Sequence, residues 1–328
     1  MDPQQPVLQL RRPVPPMRPR VQRRPLHGVL LLDKPLGWTS NDALQKAKGL
    51  LRAEKAGHTG TLDPLATGLL PLCFGAATKF SQVSLDADKS YRATLRLGQT
   101  TASADAESPV LLDRPVRTDL AAIAAACQRL TGEIEQLPPM HSALKHEGKA
   151  LYEYARAGID IERATRRVQI YAIDIVQWEH ETLVIDVSCS KGTYIRTLAQ
   201  ALGELLGCGA HLSALRRTAC GLLPLAQAIT LDALAALSDT QREARLLPAD
   251  VLVSAWPEVS LPQDEAGRFL CGLRRRVALA DQPQVRVYGP APAKHPVFDR
   301  AFLGTAHITA GELIADRLLS PLEVQVTP

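Results

Sequence analysis

The sequence AGHTGTLDPLATGLLP, residues 56–71, concentrates glycines and small polar residues around a single carboxylate. Its glycines permit backbone conformations with positive φ and the close approach of a ligand. Asp63 precedes Pro64, whose ring fixes its own φ and biases the preceding residue toward extended conformations. Such a backbone would hold the Asp63 side chain still, as catalysis requires. An Asp-Pro pair taken alone more often caps a turn, and these residues leave that alternative open.

A phosphate-binding loop does not fit this stretch. The pattern G-x-x-x-x-G-K-[ST] requires a lysine and then a serine or threonine after its second glycine. Here Gly68 is followed by Leu69 and Leu70. Nucleotide binding through a phosphate loop is therefore excluded at this position.

Regular structure is predicted on both sides of the loop. An apolar run over residues 28–33 predicts a buried strand that a Pro/Gly turn ends. Thr39 or Ser40 then caps a predicted helix over residues 41–51, where apolar residues recur at helical spacing. After the loop, the apolar residues 69–74 predict another strand.

Further strands and helices interleave without a regular βαβ repeat. The expected fold class is α+β, with helices packed against a mixed, largely antiparallel sheet. The predicted strands cover residues 90–97, 167–176 and 183–189, and the predicted helices cover residues 120–130, 150–157 and 193–206.

Composition narrows the class of protein. The 328 residues are 46% apolar and 22% charged, which is typical of a globular chain of about two domains. The six cysteines form no C-x-x-C pair, so zinc ribbons and redox motifs are disfavoured and reduced thiols in a cytoplasmic protein are expected. The N-terminal segment lacks the apolar core of a secretory signal, and no later stretch approaches about 18 uncharged apolar residues, so export and membrane spanning are disfavoured.

The two ends of the chain differ from its centre. Residues 1–25 hold six arginines, seven prolines and one acid, so residues 1–27 are predicted to form a disordered basic arm. A composition shift near residues 247–262 predicts a boundary, which divides the rest into residues 28–250 and 251–328. Short strands expected at 277–280, 285–287 and 303–308 indicate a small β-rich C-terminal domain.

The loop and several other segments resemble the TruB family, the tRNA pseudouridine-55 synthases. The resemblance extends from about Gly28 to Gly221 and more weakly to the C-terminus. The ordered motifs that carry it are GVLLLDKPLGWTS (28–40), AGHTGTLDPLATGLLP (56–71), KSYRATLRLG (89–98), HSALKHEGKALYEYARAG (141–158), SKGTYIRTLA (190–199), GCGAHL (207–212) and LRRT (215–218). It implies the pseudouridine synthase fold, with a PUA-like RNA-binding C-terminal domain.

The resemblance implies that Asp63 is the catalytic carboxylate. It would break the N-glycosidic bond of a uridine and permit re-attachment through carbon 5, without a cofactor or a metal. Attack on C1′, attack on the uracil ring and assistance of an elimination all remain open routes. A glycoside hydrolase would need two carboxylates around a water, and this loop holds no second acid.

The resemblance also assigns the substrate-binding residues. Tyr91 would stack on the extruded uracil and help to remove the C5 proton. Arg196 would pair with Asp63, lower the pKa of its carboxyl group and fix its orientation at the entrance of a helix capped by a threonine. The remaining positions are Tyr194 and Leu215, expected to line the uracil pocket, and His58, expected to assist base extrusion or substrate positioning.

The implied partner is the T-arm of tRNA, recognised by shape and phosphate contacts and acted on by a monomer. Two alternatives stay open: an RNA-binding or tRNA-folding factor in which catalysis is secondary, and a uridine isomerase with another RNA target, such as ribosomal RNA. The candidate phosphate-facing residues are Lys34, Lys145, Lys149, Arg216 and Arg217, and Arg274, Arg275 and Arg276 are candidates for contact with the acceptor end.

Overall fold

The computed structural model describes residues 22–291 and 299–326. Most of the predicted basic arm, residues 1–21, lies outside this part of the chain. Ordered pairing begins before the expected boundary at Gly28, because Arg24 N donates a hydrogen bond to Arg52 O at 2.7 Å. Within the described residues, no helix is both long and apolar enough to cross a membrane.

The strands are β1 (Gly28–Lys34), β2 (Ala56–His58), β3 (Ala66–Phe74), β4 (Lys89–Leu97), β5 (Gln99–Thr101), β6 (Val110–Asp113), β7 (Gly132–Gln136), β8 (Lys145–His146), β9 (Lys149–Ala150), β10 (Arg166–Glu179), β11 (Thr182–Cys189), β12 (Ala210–Cys220), β13 (Leu223–Pro224), β14 (Ile229–Thr230), β15 (Glu258–Ser260), β16 (Arg275–Arg276), β17 (Gln282–Pro290), β18 (Arg300–Thr309) and β19 (Glu312–Leu318).

The α-helices are α1 (Ser40–Leu51), α2 (Ser81–Asp86), α3 (Leu120–Arg129), α4 (Leu151–Arg156), α5 (Ile195–Leu205), α6 (Leu231–Ala236), α7 (Asp239–Glu243), α8 (Gln263–Leu270) and α9 (Pro321–Val326). Short 3-10 helices cover Gly75–Phe80, Leu225–Gln227 and Ala249–Val253. Thr39 caps α1 as predicted, since its side-chain oxygen accepts from Asp42 N at 3.0 Å.

The main sheet confirms the α+β prediction. Its strand order is β14-β1-β3-β12-β4-β11-β10-β7, with β2 added to β3 and β13 added to β12. All of its pairs are antiparallel except β1 with β14 and β3 with β12. Apolar residues of α1 and α6 form a core with β1 and β3, whereas α3 and α5 form another core with β4, β10, β11 and β12.

Strand β12 lies near the middle of the sheet, yet the sequence analysis did not predict it. It pairs in parallel with β3 and antiparallel with β4, and its register with β4 shifts at two places. Those irregularities, together with the adjacent Arg216 and Arg217, break the alternation of apolar and polar residues by which a strand is recognised. The strand brings Leu215 and Arg217 beside the loop of Asp63.

The C-terminal sheet has the strand order β15-β17-β18-β19-β16. Strands were correctly expected within β17 and β18, but the strand predicted at residues 277–280 is wrong. The chain pairs with β19 only at Arg275 and Arg276, and Val277 N then donates to Gly311 O, immediately before the start of that strand. No further β19 backbone lies beside the rest of the run 277–280, so these residues form irregular structure instead of a strand.

The two sheets pack on a shared apolar core. The Phe80 and Phe302 rings lie 5.1 Å apart, and buried residues from one face of β1 and β3 belong to one cluster with those of β17 and β18. Polar contacts reinforce this packing, because Tyr288 Oη donates to Asp250 Oδ2 at 2.6 Å and Lys79 Nζ lies 2.6 Å from Glu323 Oε2. The C-terminal sheet is therefore held against the main sheet by buried contacts.

Candidate active site

The loop between β2 and β3 is fixed on both sides of Asp63. Ser40 Oγ accepts from Leu62 N at 2.8 Å and donates to Leu62 O at 3.0 Å. Gly37 N donates to Pro64 O at 2.9 Å, and Ala66 N donates to Asp63 O at 3.0 Å. These bonds confirm a backbone that holds the carboxylate in place.

Arg217 anchors this loop with two hydrogen bonds, together called the loop clamp. Its Nε donates to Leu69 O at 2.7 Å and its Nη2 donates to Gly60 O at 3.1 Å. The side chain is inside the protein, with the residue 1% exposed. The expectation that Arg217 faces a phosphate is therefore wrong, because backbone carbonyls surround its guanidinium group.

The absence of a side chain at Gly68 lets the Arg217 backbone approach closely, so replacement of Gly68 should destabilise the protein. Its φ is +98°, and a Cβ there would lie 2.4 Å from Arg217 O. We expect Gly68→Ala to lower the free energy of unfolding by at least about 2 kcal/mol, because it adds backbone strain to a steric clash. Gly57→Ala is the matched control, since no atom lies within 4 Å of its Cβ position. Equal thermal unfolding temperatures for both variants would contradict this explanation.

Five of the six predicted site residues line one small cavity of about 260 Å³, here called the inner cavity. They are Asp63, Tyr91, Tyr194, Arg196 and Leu215. The complete lining is Gly60, Thr61, Leu62, Asp63, Ala66, Leu85, Lys89, Tyr91, Ser142, Ala143, Ser190, Gly192, Thr193, Tyr194, Ile195, Arg196, Leu215 and Arg217. A cavity of this size is suited to a single base rather than to a larger ligand.

His58 is the sixth predicted residue, and it is not part of this lining. It lies on β2, where its Nδ1 is buried without a hydrogen-bond partner in the described structure. Burial, and to a lesser extent the charge of Arg217, lowers the pKa of His58. At neutral pH the imidazole is therefore mainly uncharged.

Arg196 joins Asp63 to a second carboxylate that the sequence analysis missed. Its Nη2 lies 2.9 Å from Asp63 Oδ2, and its Nη1 lies 3.2 Å from Asp105 Oδ2. Arg196 also donates to Ser103 O at 3.2 Å and to His141 O at 2.6 Å. Arg196 is buried rather than surface-exposed, and four oxygens from three segments of the chain fix its guanidinium group.

Asp105 supports this arrangement from inside the protein. It is 1% exposed, it accepts from Glu107 N at 3.0 Å, and Ser103 Oγ donates to it. Both of its carboxylate oxygens are engaged, Oδ1 by Ser103 and Glu107 and Oδ2 by Arg196. It acts on the site through Arg196, and only folding brings it near Asp63.

The pKa of Asp63 depends on its burial as well as on Arg196. Burial raises it above its ordinary value, Arg196 lowers it, and the neighbouring Asp105 raises it further. Arg196 therefore lowers the pKa as predicted, but burial outweighs it and the net direction is upward. The Asp63 side chain is nevertheless 42% exposed, which leaves its carboxylate accessible from the cavities.

Tyr91 lies on β4 opposite Arg217 of β12. Burial is the main cause that raises the pKa of Tyr91 to about 12, partly offset by Arg217. The side chain therefore remains a neutral phenol at physiological pH and presents a ring to the inner cavity rather than a phenolate.

Removal of the Tyr91 ring should reduce activity more than removal of its hydroxyl group. Stacking on a base is worth about 1–3 kcal/mol, so Tyr91→Leu should lower kcat/KM about 5- to 150-fold. Tyr91→Phe keeps the ring, and the hydroxyl group that it removes is a neutral phenol and therefore a poor base for the C5 proton, so this variant should lose less activity than Tyr91→Leu. Measurement of uridine conversion by the two variants checks this prediction. Equal losses would instead assign the main role to the hydroxyl group.

The entrance of α5 differs in detail from the prediction. Tyr194, rather than a threonine, is the N-cap residue, and Thr193 Oγ1 instead donates to Ser190 O at 2.9 Å. Gln136 fixes the Tyr194 backbone, because its Oε1 accepts from Tyr194 N at 2.9 Å and its Nε2 donates to Tyr194 O at 3.3 Å. The sequence offered no signal for Gln136, since its partner is 58 residues away.

Three of the five predicted phosphate-facing residues are engaged in internal contacts. Lys34 is 0% exposed and donates to Trp38 O at 2.6 Å, and burial is the main cause that lowers its pKa to about 8. Arg217 forms the loop clamp, and Arg216 lies 2.6 Å from Asp33. The expectation for Lys34 is wrong for the same reason as for Arg217. The two exposed members are Lys145 and Lys149, on the β8–β9 ribbon.

The C-terminal arginines are also partly engaged. Arg274 lies 3.2 Å from Glu312, and Arg275 pairs with Glu265. Arg276 is exposed and forms no ion pair within residues 22–291 and 299–326.

A larger cavity of about 700 Å³, here called the outer cavity, lies on the other side of Asp63. It is lined by Thr39, Ser40, Asn41, Thr61, Leu62, Asp63, Pro64, Ser103, Asp105, Glu107, Ser108, His141, Ser142, Ala143, Tyr152, Arg156 and Arg196. The two cavities share Asp63 and Arg196. A ligand that extends from one cavity into the other would therefore pass the carboxylate.

Known structures resemble this fold over nearly its whole length. One is an H/ACA ribonucleoprotein bound to a substrate RNA containing 2′-deoxyuridine, with a TM-score of 0.68 and 23% identity, covering 92% of this chain and 88% of that one. Another is a Cbf5-Nop10-Gar1 complex, with a TM-score of 0.66 and 24% identity, covering 94% of this chain and 86% of that one. These likenesses establish the fold.

Sequence comparison establishes the family. Residues 48–195 match the model of the TruB family pseudouridylate synthase N-terminal domain, and residues 196–254 match the tRNA pseudouridylate synthase B C-terminal domain. The tRNA pseudouridine synthase B of Ralstonia pickettii is 57% identical, over 90% of this chain and 95% of that protein. The protein of that name from Verminephrobacter eiseniae is 55% identical, over 94% of both chains. The chain belongs to the TruB family of pseudouridylate synthases and is an RNA-modifying isomerase.

Proposed function

We propose that this isomerase converts the T-loop uridine of tRNA, position 55, to pseudouridine, with Asp63 as the catalytic carboxylate. The observation that carries the proposal is the placement of Asp63 at the junction of two cavities, paired with Arg196 at 2.9 Å. The names of the relatives that are 54–57% identical support tRNA as the substrate.

The two cavities separate the parts of the substrate. The extruded uracil enters the inner cavity and stacks on Tyr91, with Tyr194 and Leu215 around it. Its ribose and phosphates remain in the outer cavity. The N1–C1′ bond then crosses the junction beside Asp63, whose carboxylate captures or stabilises the electron-poor C1′ carbon as that bond breaks.

The reaction conserves all atoms of the uridine except for an exchange of protons. The N1–C1′ bond breaks, the uracil turns within the inner cavity, and a C5–C1′ bond forms. The proton on C5 leaves to solvent, while N1 gains a proton. Each route open to Asp63 requires its carboxylate to be ionised, because a neutral acid neither attacks nor stabilises a cationic carbon. The ion pair with Arg196 favours this ionised form.

Recognition of the RNA is proposed to use exposed cations outside the cavities. Lys145 and Lys149 would contact phosphates beside the outer cavity, whose lining includes His141 and Tyr152 of the same segment.

Residues 28–250 form the catalytic domain, and residues 251–328 form a PUA-like RNA-binding domain in which Arg276 contacts the acceptor end. The enzyme acts as a monomer in the cytoplasm, and His58 assists base extrusion from the neighbouring strand.

Target specificity is tested with transcripts that differ at a single position. Purified protein is incubated with an unmodified tRNA, the same tRNA with cytidine at position 55, an isolated T-arm hairpin, and hairpins of ribosomal RNA. The proposal predicts pseudouridine at the T-loop position of the first and third RNAs and none in the others. Conversion of a ribosomal hairpin alone would favour a different target. Tight tRNA binding without conversion would favour an RNA-folding role.

A further inference from the structure

A buried hydroxyl group beside the two cavities has no protein partner. Ser142 is 4% exposed, and its Oγ forms no hydrogen bond within residues 22–291 and 299–326. The other buried side-chain polar atoms without a partner in this part of the chain belong to Arg24 and His58, which line neither cavity. An unpartnered hydroxyl is unfavourable in a folded protein, so it requires an explanation.

The backbone around Ser142 is well anchored, so the hydroxyl group is held in a defined place. Ser142 N donates to Met140 O at 2.9 Å, and Tyr152 N donates to Ser142 O at 3.1 Å. The preceding carbonyl, His141 O, accepts from Arg196 at 2.6 Å. Ser142 is thereby positioned next to the ion pair of Arg196 with Asp63.

Ser142 belongs to the wall that the inner and outer cavities share. The residues common to both linings are Thr61, Leu62, Asp63, Ser142, Ala143 and Arg196. With the base in one cavity and the sugar in the other, the N1–C1′ bond crosses at this wall. The C2′ carbon is bonded to C1′, so the 2′-hydroxyl is the group nearest to the breaking bond that both donates and accepts hydrogen bonds.

Three hydroxyl groups that line only one of the two cavities, those of Ser40, Ser103 and Thr193, already have partners. Ser40 Oγ bonds to Leu62, and Ser103 Oγ bonds to Asp105. Thr193 Oγ1 donates to Ser190 O. The other hydroxyl group of the shared wall belongs to Thr61, which is exposed. Ser142 is therefore distinguished from these neighbours by a hydrogen-bonding capacity that the free protein leaves unused.

We propose that Ser142 is a substrate-binding residue whose hydroxyl pairs with the 2′-hydroxyl of the target ribose. The two groups satisfy one another, because each can donate and accept. The wall between the cavities then selects a ribonucleotide, since the 2′-hydroxyl is the group that distinguishes RNA from DNA. This inference rests on the proposed function, which places the target uridine across the wall.

A double-substitution cycle tests the pairing. T-arm hairpins with either uridine or 2′-deoxyuridine at the target position are titrated against Asp63→Asn and against Asp63→Asn/Ser142→Ala, so that no conversion occurs during the measurement. Ser142→Ala should weaken binding of the uridine hairpin about three- to tenfold, as expected for one hydrogen bond. It should weaken binding of the 2′-deoxyuridine hairpin less than about twofold. Equal weakening of both hairpins, or of neither, would overturn the proposal.

Thermal unfolding separates a substrate-binding hydroxyl from a structural one. Ser142→Ala should unfold at the same or a higher temperature, because it removes a polar group that the free protein does not satisfy. The matched control is Ser213→Ala, since Ser213 Oγ donates to Thr94 O at 3.0 Å and lies outside both cavity linings. That variant should unfold at a lower temperature without changing the preference for the uridine hairpin. A lower unfolding temperature for Ser142→Ala would contradict the proposal.

Failure of the proposed function has a different signature. If the T-arm is not the substrate, the Asp63→Asn protein will bind the uridine hairpin no better than a hairpin with cytidine at the target position, and both proposals fall. If only the role of Ser142 is wrong, the Asp63→Asn protein will still bind the uridine hairpin better than the cytidine hairpin. Ser142→Ala will then weaken binding of the uridine and 2′-deoxyuridine hairpins equally, or not at all.

Discussion

Replacement of Asp63 by asparagine is expected to abolish isomerisation while the protein stays folded and binds tRNA. Asparagine has nearly the same shape, but it can neither capture nor stabilise the electron-poor C1′ carbon. The expected loss in the single-turnover rate is at least about 10³-fold, as for other enzymes that lose their nucleophile. Stopped time courses with excess enzyme measure this rate, and a titration with the same tRNA measures binding.

The matched control for this change is Asp113→Asn. Asp113 is an exposed carboxylate on β6, outside both cavity linings, and its loss should leave the rate within about twofold of wild type. Residual turnover by Asp63→Asn within about tenfold of wild type would remove Asp63 from the reaction.

Replacement of Arg196 by methionine is expected to affect both stability and catalysis. It leaves Asp105, which is 1% exposed, without its cationic partner. Breaking a buried ion pair in this way costs about 3–5 kcal/mol of unfolding free energy. Arg92→Met is the control, because Arg92 and its partner Asp186 have 52% and 40% of their side chains exposed, and its unfolding temperature should fall much less than that of Arg196→Met.

The pH dependence of kcat/KM supplies an independent test of Arg196. Activity requires ionised Asp63, so it should fall as the pH drops through the Asp63 pKa, which burial already raises above the ordinary value. Arg196 opposes this rise, so Arg196→Met should move the acid limb to still higher pH. The limb would stay in place, or move to lower pH, if Arg196 did not interact with Asp63 in the free enzyme.

The sequence predicted those parts of the site that depend on local structure. The glycines and Pro64 around Asp63 predicted a rigid loop, and the capped helix after β1 was confirmed with Thr39 as its cap. The resemblance then named five residues that the fold does bring to one cavity. These features depend on short motifs whose conformation neighbouring residues determine.

Long-range pairing decided what the sequence could not predict. Asp105 reaches the site only because Arg196, 91 residues later, folds against it. Lys34 and Arg217 carry charges that suggest a surface, yet folding buries both. Lys34 donates to the nearby Trp38 O, and Arg217 donates to Leu69 O, 148 residues away. The raised pKa of Asp63 also depends on the whole fold. Burial of the carboxyl group, which the sequence does not show, outweighs the charge of Arg196, the one partner that the motifs predicted.

The most direct test of isomerisation at Asp63 follows the hydrogen on C5 of the target uridine. A tRNA transcript with tritium at C5 of its uridines is incubated with wild-type protein and with Asp63→Asn. The wild type should release to water the tritium of one uridine per tRNA, with pseudouridine mapped to the T-loop, and Asp63→Asn should release none. Release of free uracil that keeps its tritium, or equal tritium release by both proteins, would contradict a carbon–carbon bond formed at the Asp63 carboxylate.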